Sequence, residues 1–499
     1  MIEDLGRQPA IKPMDSNGTI KTTFLIKYGW SSKKMIEQSN DEREKKTAVL
    51  FSVQTYGVSD EENDSSLLEL GRLVKTMGLE VVATLTQRRP KPETSTLLGA
   101  GKLKELADYT GGTGIVEGFS RKSEDETRDD MDEAYPSGSP TGIYENRSND
   151  DPMAKNSVHA NVVIYDGEIT TKQLQNLEKA TGVEVLDRTG VILEIFSRHA
   201  KSREALIQVE IAKLTYLAPR LRASHMGGDR QGGGIGSKGA GETSHELDKR
   251  RIRDRISELK SRLVSIRDEQ TRRRSRRREN FQVALVGYTN AGKSSLMRKL
   301  TGSDVLVEDK LFATLDTRVK ALQPEAYPPI LISDTVGFIK KLPHDLVASF
   351  QSTLDEALAA SLLLFTVDAS DPAFRSQLTV TQSVLKEIGG EKIPGLLILN
   401  KIDKLTTGAL EVLRHEFPHG IFISAHNPKD VALLRKKILQ HFQENMIETT
   451  MVIPYDKGHI LGQLRTKAGI IQESYDETGT EVKFKTSQET LTWLEKQMA

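Results

Sequence analysis

The sequence contains no cysteine. Disulfides, thiolate zinc sites, iron–sulfur clusters and cysteine nucleophiles are therefore excluded, and the composition fits a reducing cytoplasm. There is no run of about 18 apolar residues, and the mean hydropathy is -0.43, which excludes a membrane-spanning helix. The opening residues MIEDLGRQPAIKPMDSNGTI lack the basic segment and apolar run expected of a signal peptide. Net charge is also missing: 70 basic residues balance 70 acidic ones. A uniformly basic or acidic protein is thereby excluded, but local charge blocks that cancel are not. No H-E-x-x-H or G-x-S-x-G hydrolase signature occurs, and there is no internal repeat.

What is present is a chain of 499 residues, 37% of them hydrophobic, enough for roughly two to four domains. The pattern is that of a multidomain α/β protein. Residues 1–45 form a polar N-terminal extension without periodicity. Residues 46–224 read as an N-terminal α/β domain. A continuous apolar run at 46–56 predicts a strand, Leu67, Leu70, Val74 and Met77 predict a helix over 65–79, and 80–86 predicts a second strand. Within this domain, 111–157 interrupts the pattern. Between Glu117 and Asp151 there are 11 acidic and 4 basic residues, so the segment reads as a disordered acidic insertion. A strand at 161–166 and a helix at 170–181 follow. Residues 189–198 read as a strand-to-helix passage, and 202–217 as an amphipathic helix.

Residues 225–280 read as a glycine-rich loop and a basic helical linker. From Lys249 to Arg278 there are 14 basic and 4 acidic residues, ending in RRRSRRR. This block is what the acidic insertion masks in the total charge. It is either a solvated helix surface or a contact for RNA phosphates; the density of the terminal cluster, which repels itself without a polyanion, favours RNA. Gly234, Gly236 and Gly239 match G-x-G-x-x-G, but no strand precedes them, so a dinucleotide site is rejected in favour of a loop that orders on a partner. Residues 281–445 alternate strand-like runs (282–287, 330–333, 362–368, 395–399, 420–424) with helical patterns, which predicts a mainly parallel sheet. Residues 446–499 read as a small C-terminal domain with strand signals and a terminal helix.

Four motifs lie in order at the carboxyl ends of predicted strands. Gly287, Tyr288, Thr289, Asn290, Ala291, Gly292, Lys293 and Ser294 match G-x-x-x-x-G-K-[ST] between a strand and a helix. In such a loop backbone N–H groups close on phosphate oxygens, Lys293 reaches the β and γ phosphates, and the Ser294 hydroxyl binds Mg²⁺. Asp334, Thr335, Val336 and Gly337 follow, with Asp334 set to hold Mg²⁺ through a water and the Gly337 N–H to sense the γ-phosphate. Asn400, Lys401, Ile402 and Asp403 form the third motif. The Asp403 carboxylate can accept from both N1–H and the 2-amino group of guanine, a donor pair that adenine lacks, so the motif selects GTP. Ser424, Ala425 and His426 complete the set, with a backbone N–H for the guanine oxygen.

Between the first two motifs lies Phe312, Ala313, Thr314, Leu315 and Asp316. A threonine here completes a Mg²⁺ shell in the presence of the γ-phosphate; Thr314 and Thr317 both qualify. Lys293, Thr314 and Gly337 are the candidate catalytic residues, and Ser294, Thr314 and Asp334 the candidate metal ligands. Phe338 stands where many GTPases carry a water-orienting glutamine, so intrinsic hydrolysis is expected to be slow. Asn290 is a candidate ligand for a potassium ion beside the phosphates.

These motifs resemble the HflX family of ribosome-associated GTPases. The resemblance covers about 46–110 and 158–445. It rests on Leu98 to Lys102 (LGAGK), Asp187 to Phe196, Gln208 to Leu221, Gly239 to Thr243 (GAGET), Gly287 to Ser294, Phe312 to Asp316 (FATLD) and Asp334 to Phe338 (DTVGF). FATLD is the family's switch segment, which favours Thr314 over Thr317. The resemblance implies an N-terminal α/β domain, a helical linker, a GTPase domain and a small C-terminal domain. It also implies GTP as substrate with Mg²⁺, binding to the large ribosomal subunit and its RNA, and separation of stalled or idle ribosomes. A hydrophobic residue in place of the glutamine is usual in the family. The insertion 111–157, the first 45 residues and Ser244 depart from the family pattern. A cytoplasmic protein, monomeric off the ribosome, is expected.

Overall fold

The structure, a computed structural model, describes residues 46–116, 159–220, 244–275, 281–302, 311–312, 314–315, 318–324, 326, 328–341, 351–444 and 446–498. The N-terminal extension, residues 117–158 with most of the acidic insertion, residues 221–243 with the glycine-rich loop, and residues 276–280 lie outside them. Among the described residues no helix is long and apolar enough to cross a membrane.

The N-terminal unit is a four-stranded parallel sheet in the order β2-β1-β3-β4, built from β1 (Thr47–Gln54), β2 (Glu80–Arg88), β3 (Val162–Tyr165) and β4 (Glu184–Asp187). The central strands are apolar on both faces, as a sheet covered on both sides requires. Ala48, Leu50, Val162 and Ile164 point to one layer, which holds α1 (Asp60–Thr76) and α4 (Arg188–His199). Val49, Phe51, Val163 and Tyr165 point to the other, which holds α2 (Ala100–Asp108) and α3 (Thr171–Thr181).

Helix α1 begins earlier than the apolar spacing indicated. The Ser59 hydroxyl accepts from the Glu62 N–H at 3.1 Å, and Asp60, Glu61 and Glu62 fill the first turn, where the helix dipole favours anions. Residues 189–198 are helical throughout rather than a strand-to-helix passage. The Asp187 carboxylate caps α4 by accepting from Gly190 N–H at 2.8 Å, so the strand ends at 187. The β-branched residues that suggested a strand (Val191, Ile192, Ile195) are simply buried. Residues 111–116, expected to belong to the insertion, pack on α3 instead: Gly114 N–H donates to the Ala180 carbonyl at 2.9 Å.

Helix α5 (Arg203–Leu217) and the 32-residue α6 (Ser244–Ser275) form a pair joined by Ile211, Leu214, Ile252, Leu259 and Leu263. The second α/β unit has a six-stranded sheet in the order β10-β9-β8-β5-β7-β6. Five strands run parallel: β5 (Phe281–Gly287), β7 (Ile330–Asp334), β8 (Leu362–Asp368), β9 (Gly395–Asn400) and β10 (Ile421–Phe422). The edge strand β6 (Arg318–Ala321) is antiparallel and was not foreseen, because RVKA carries little apolar signal and is half exposed. β10 is only two residues long. The chain turns after it, where Ser424 N–H donates to Asp430 Oδ2 at 2.8 Å.

Alternation within β5 assigns its two faces. Val283 and Leu285 meet α7 (Lys293–Thr301) through Leu296 and Leu300, and α11 (Pro428–Glu444) through Leu434 and Ile438. Ala284 and Val286 face the layer that contains α8 (Gln351–Leu358) and α9 (Phe374–Glu387). That layer is continuous with the α1 and α4 layer of the N-terminal unit, so the two units share one apolar cluster. α10 (Thr407–Glu416) follows β9.

The C-terminal unit is a three-stranded antiparallel sheet, β11 (Ile447–Ile453), β13 (Thr480–Thr486) and β12 (Gly469–Tyr475) in that order. Ile453, Val482 and Phe484 pack on Ile460 and Leu464 of α12 (Gly458–Lys467) and Leu494 of α13 (Gln488–Met498).

Candidate nucleotide site

The loop from β5 to α7 leaves the carboxyl end of a central strand, where a parallel sheet presents its helix N-termini. Gly292 has φ +96°, and a Cβ there would lie 2.2 Å from Asn400 Nδ2, so the position admits glycine only. Asn290 also has a positive φ, 60°, which asparagine tolerates better than most residues. The Lys293 ammonium is buried and donates to the carbonyls of Gly287 at 3.0 Å and Tyr288 at 2.7 Å. Burial lowers its pKa to about 8, with Asp334 partly opposing the shift.

Ser294 Oγ lies 2.7 Å from Thr314 Oγ1 and 2.7 Å from Asp334 Oδ2. Asp334 is fully buried, and burial raises its pKa against the pull of Lys293. Its second oxygen, Oδ1, is buried with no hydrogen-bond partner among the described residues. Two hydroxyls and a carboxylate with a spare buried oxygen are a hard, all-oxygen donor set, which suits Mg²⁺. Of the switch segment, Phe312, Thr314 and Leu315 are described; Ala313, Asp316 and Thr317 lie outside the described residues.

Gly337 follows Thr335 and Val336 at the end of β7. A Cβ on it would sit 2.8 Å from Thr289 Cα. Its neighbour Phe338 pairs with the loop: Phe338 N–H donates to the Gly287 carbonyl at 3.1 Å, and Thr289 N–H donates to the Phe338 carbonyl at 2.9 Å. Phe338 is buried and belongs to the shared apolar cluster, as do Phe312 and Leu315.

On the opposite side, Asn400 joins three motifs. Its Nδ2 donates to the Ala291 carbonyl at 2.9 Å, and its Oδ1 accepts from Ala425 N–H at 3.1 Å. Lys401 Nζ donates to the Asn290 carbonyl at 2.8 Å and pairs with Asp368 at 2.8 Å. Ile402 and Asp403 lie on the short 3₁₀ turn Ile402–Lys404. Asp403 is exposed, and the Ser424 hydroxyl, its largest influence, holds its carboxyl below the ordinary range. His426 N–H donates to Ser424 Oγ at 3.3 Å.

Thus the four motifs converge on one rim, as their positions at strand ends predicted. Sequence reasoning did not find the groups behind that rim. Tyr288 Oη hydrogen-bonds Glu69 of α1 and accepts from Lys340 N–H at 2.6 Å. Arg188, buried at the start of α4, pairs with Glu69 at 2.9 Å and Asp166 at 2.6 Å. Lys341 also reaches Asp166, at 2.8 Å. Arg188 falls in the family segment Asp187 to Phe196, and Asp166 ends the strand NVVIYD; these were the available signals.

Three family models match the chain. The one described as GTP-binding GTPase N-terminal matches residues 64–116 and 151–197, the GTP-binding GTPase Middle Region matches 199–277, and the 50S ribosome-binding GTPase matches 282–401. GTPase HflX of Gluconacetobacter diazotrophicus is 52% identical over 91% of this chain and 98% of its own length. The chain belongs to the HflX family of GTPases. GTPase HflX of Escherichia coli K12 is 33% identical over 86% of this chain and 91% of its own length. A GTP-binding protein from Sulfolobus solfataricus, solved in complex with GDP, is similar at 25% identity over 79% of this chain and 98% of that one, with a TM-score of 0.39. As an HflX-family member the chain is a GTP-binding GTPase. The extension 1–45 lies outside all three matched regions, as do residues 117–150 of the acidic insertion.

Proposed function

We propose that this GTPase binds the large ribosomal subunit and uses GTP to split or rescue stalled or idle ribosomes, hydrolysis resetting it for release. The observation that carries the reading is the match of residues 282–401 to the 50S ribosome-binding GTPase model. It is supported by the long α6, which carries Arg250, Arg251, Arg253, Lys260 and Arg262 exposed on its surface, a basic pattern that suits RNA phosphates. The expected setting is the cytoplasm, with ribosomal RNA as partner and a monomer off the ribosome.

In this reading Lys293 binds the β and γ phosphates, leaving its carbonyl partners, and the phosphates restore the proton affinity that burial removes. Ser294, Thr314 and Asp334 would hold Mg²⁺, and the ion would neutralise phosphate charge. The Gly337 N–H reads the γ-phosphate. Asp403 reads guanine, while Asn400, Lys401 and the Ser424-Ala425-His426 turn brace the base side. Asn290 is proposed as the ligand of a potassium ion; equal hydrolysis rates in KCl and NaCl would remove that role.

The test is GTP hydrolysis with and without purified large subunits at fixed Mg²⁺ and KCl, with Lys293→Ala as control. Strong stimulation supports the proposal, and subunit splitting is then measured directly. Slow hydrolysis indifferent to subunits, with salt-dependent binding to free RNA, would favour a GTP-switched module for structured RNA instead.

A further inference from the structure

The peptide after Gly337 is anchored by two different units of the molecule. From the GTPase unit come the two backbone hydrogen bonds between Phe338 and the phosphate loop. From the N-terminal unit comes a buried polar chain. Glu69 takes the hydroxyl of Tyr288, and that hydroxyl accepts the Lys340 N–H at 2.6 Å. Arg188 holds Glu69 at 2.9 Å and Asp166 at 2.6 Å. Asp166 in turn receives Ser66 Oγ at 2.6 Å and Lys341 Nζ at 2.8 Å. Lys341 has φ +56°, a costly conformation for lysine that this ion pair helps to retain.

Tyr288 is therefore a member of the phosphate loop whose ring end belongs to the interface. It needs both partners: its proton goes to Glu69, and its lone pair serves Lys340. Arg188 and Asp166 are almost wholly buried, so neither carboxylate nor guanidinium has water as a substitute. All these contacts are made by protein groups and do not depend on phosphate.

We propose that Tyr288, braced by Glu69 and Arg188, is a positioning residue that holds the Gly337–Lys341 segment where the Gly337 N–H meets the γ-phosphate. The N-terminal unit thereby sets the preference for GTP over GDP. The inference rests on Gly337 being the γ-phosphate reader. GDP has no group at that N–H, so the linkage acts on GTP alone.

The experiment measures the affinities of full-length protein for GDP and for a β,γ-imido GTP analogue, at fixed Mg²⁺. In Tyr288→Phe the ring remains and only the hydroxyl goes. Analogue affinity is expected to fall roughly ten-fold further than GDP affinity, a typical coupling between sites. Lys341→Met serves as a second variant, because its half-exposed side chain leaves no hole in the core. It should shift the ratio in the same direction, by less. Pairing Tyr288→Phe with Glu69→Gln should give less than the sum of the two losses, since both cut one linkage.

An unchanged ratio, an equal loss for both nucleotides or a tighter analogue overturns the proposal; the equal loss is what a merely structural role predicts. Gly337→Ala separates the two readings. If it lowers analogue affinity selectively while Tyr288→Phe does not, the γ-phosphate site stands and the brace falls. If Gly337→Ala leaves the ratio unchanged, the site assignment itself fails and takes the brace with it.

Discussion

Phe196 of α4 meets Phe312 of the switch segment edge-on, with ring centroids 4.6 Å apart. One ring belongs to the N-terminal unit and the other to the loop that carries Thr314. Both are buried, and Phe338 lies in the same cluster. The apolar residues on either side of the candidate catalytic centre are thus core residues of an interface as much as parts of a switch.

That double duty decides what Phe338→Gln will do. The substitution restores the side chain that many GTPases use to orient water. Here it would place an amide inside the buried apolar cluster, with its hydrogen bonds unmet. We expect a loss of roughly 1–3 kcal/mol in stability and no gain in intrinsic hydrolysis. Thermal melts and single-turnover hydrolysis check this; a rate increase of ten-fold or more would show that the ring is not a packing residue.

Ser294→Ala removes the hydroxyl that stands 2.7 Å from both Thr314 Oγ1 and Asp334 Oδ2. Asp334 would then have both oxygens buried without that donor. The Mg²⁺ concentration for half-maximal hydrolysis should rise at least about ten-fold, equivalent to one lost hydrogen bond to a charged group. A Mg²⁺ titration of GTP turnover reads it, and an unchanged midpoint would remove Ser294 from the metal set.

Asp403→Asn exchanges an acceptor for a side chain that can also donate. Guanine offers two donors at N1 and the 2-amino group, whereas xanthine offers N1–H and a 2-carbonyl. GTP affinity should drop by about 100-fold, and the affinity for xanthosine triphosphate should rise. Competition binding with the two nucleotides is the measurement. Retention of GTP preference would place base selection elsewhere.

The Asp166 carboxyl gives the interface a pH dependence. Burial raises its pKa, but Arg188, Lys341 and the hydrogen bonds from Lys341 and Ser66 outweigh burial and hold it below the ordinary 3.8. A depressed carboxylate stabilises the fold above its unfolded value, and that stabilisation is lost as pH falls through the folded value. The ion pairs should therefore persist at neutral pH and fail only below about 3.8, the ordinary value. Asp166→Asn should lower the melting temperature near pH 6, and the gap to the wild type should close at more acidic pH. A gap independent of pH would mean that charge at Asp166 contributes nothing.

The chain alone determined the α/β class, the order of the four nucleotide-site motifs along the sequence and the family. These are local or linear properties. Continuous apolar runs mark buried parallel strands, glycines mark loops that must approach a phosphate, and motifs follow strand ends whatever the rest of the fold does. Local pattern failed where a cap or a long-range partner overruled it. Asp187 turned the apparent strand-to-helix passage at 189–198 into helix α4 throughout, and β7 recruited the weakly apolar Arg318–Ala321 as an edge. What only the tertiary structure decided is the company of each site residue. Asn400 bridges Ala291 and Ala425 across more than a hundred positions of chain on one side, and Tyr288 reaches Glu69 over 219. Such pairings carry no periodicity and no spacing rule. They arise because two sheets bury one shared apolar layer, and every polar group trapped beneath it must find its partner there.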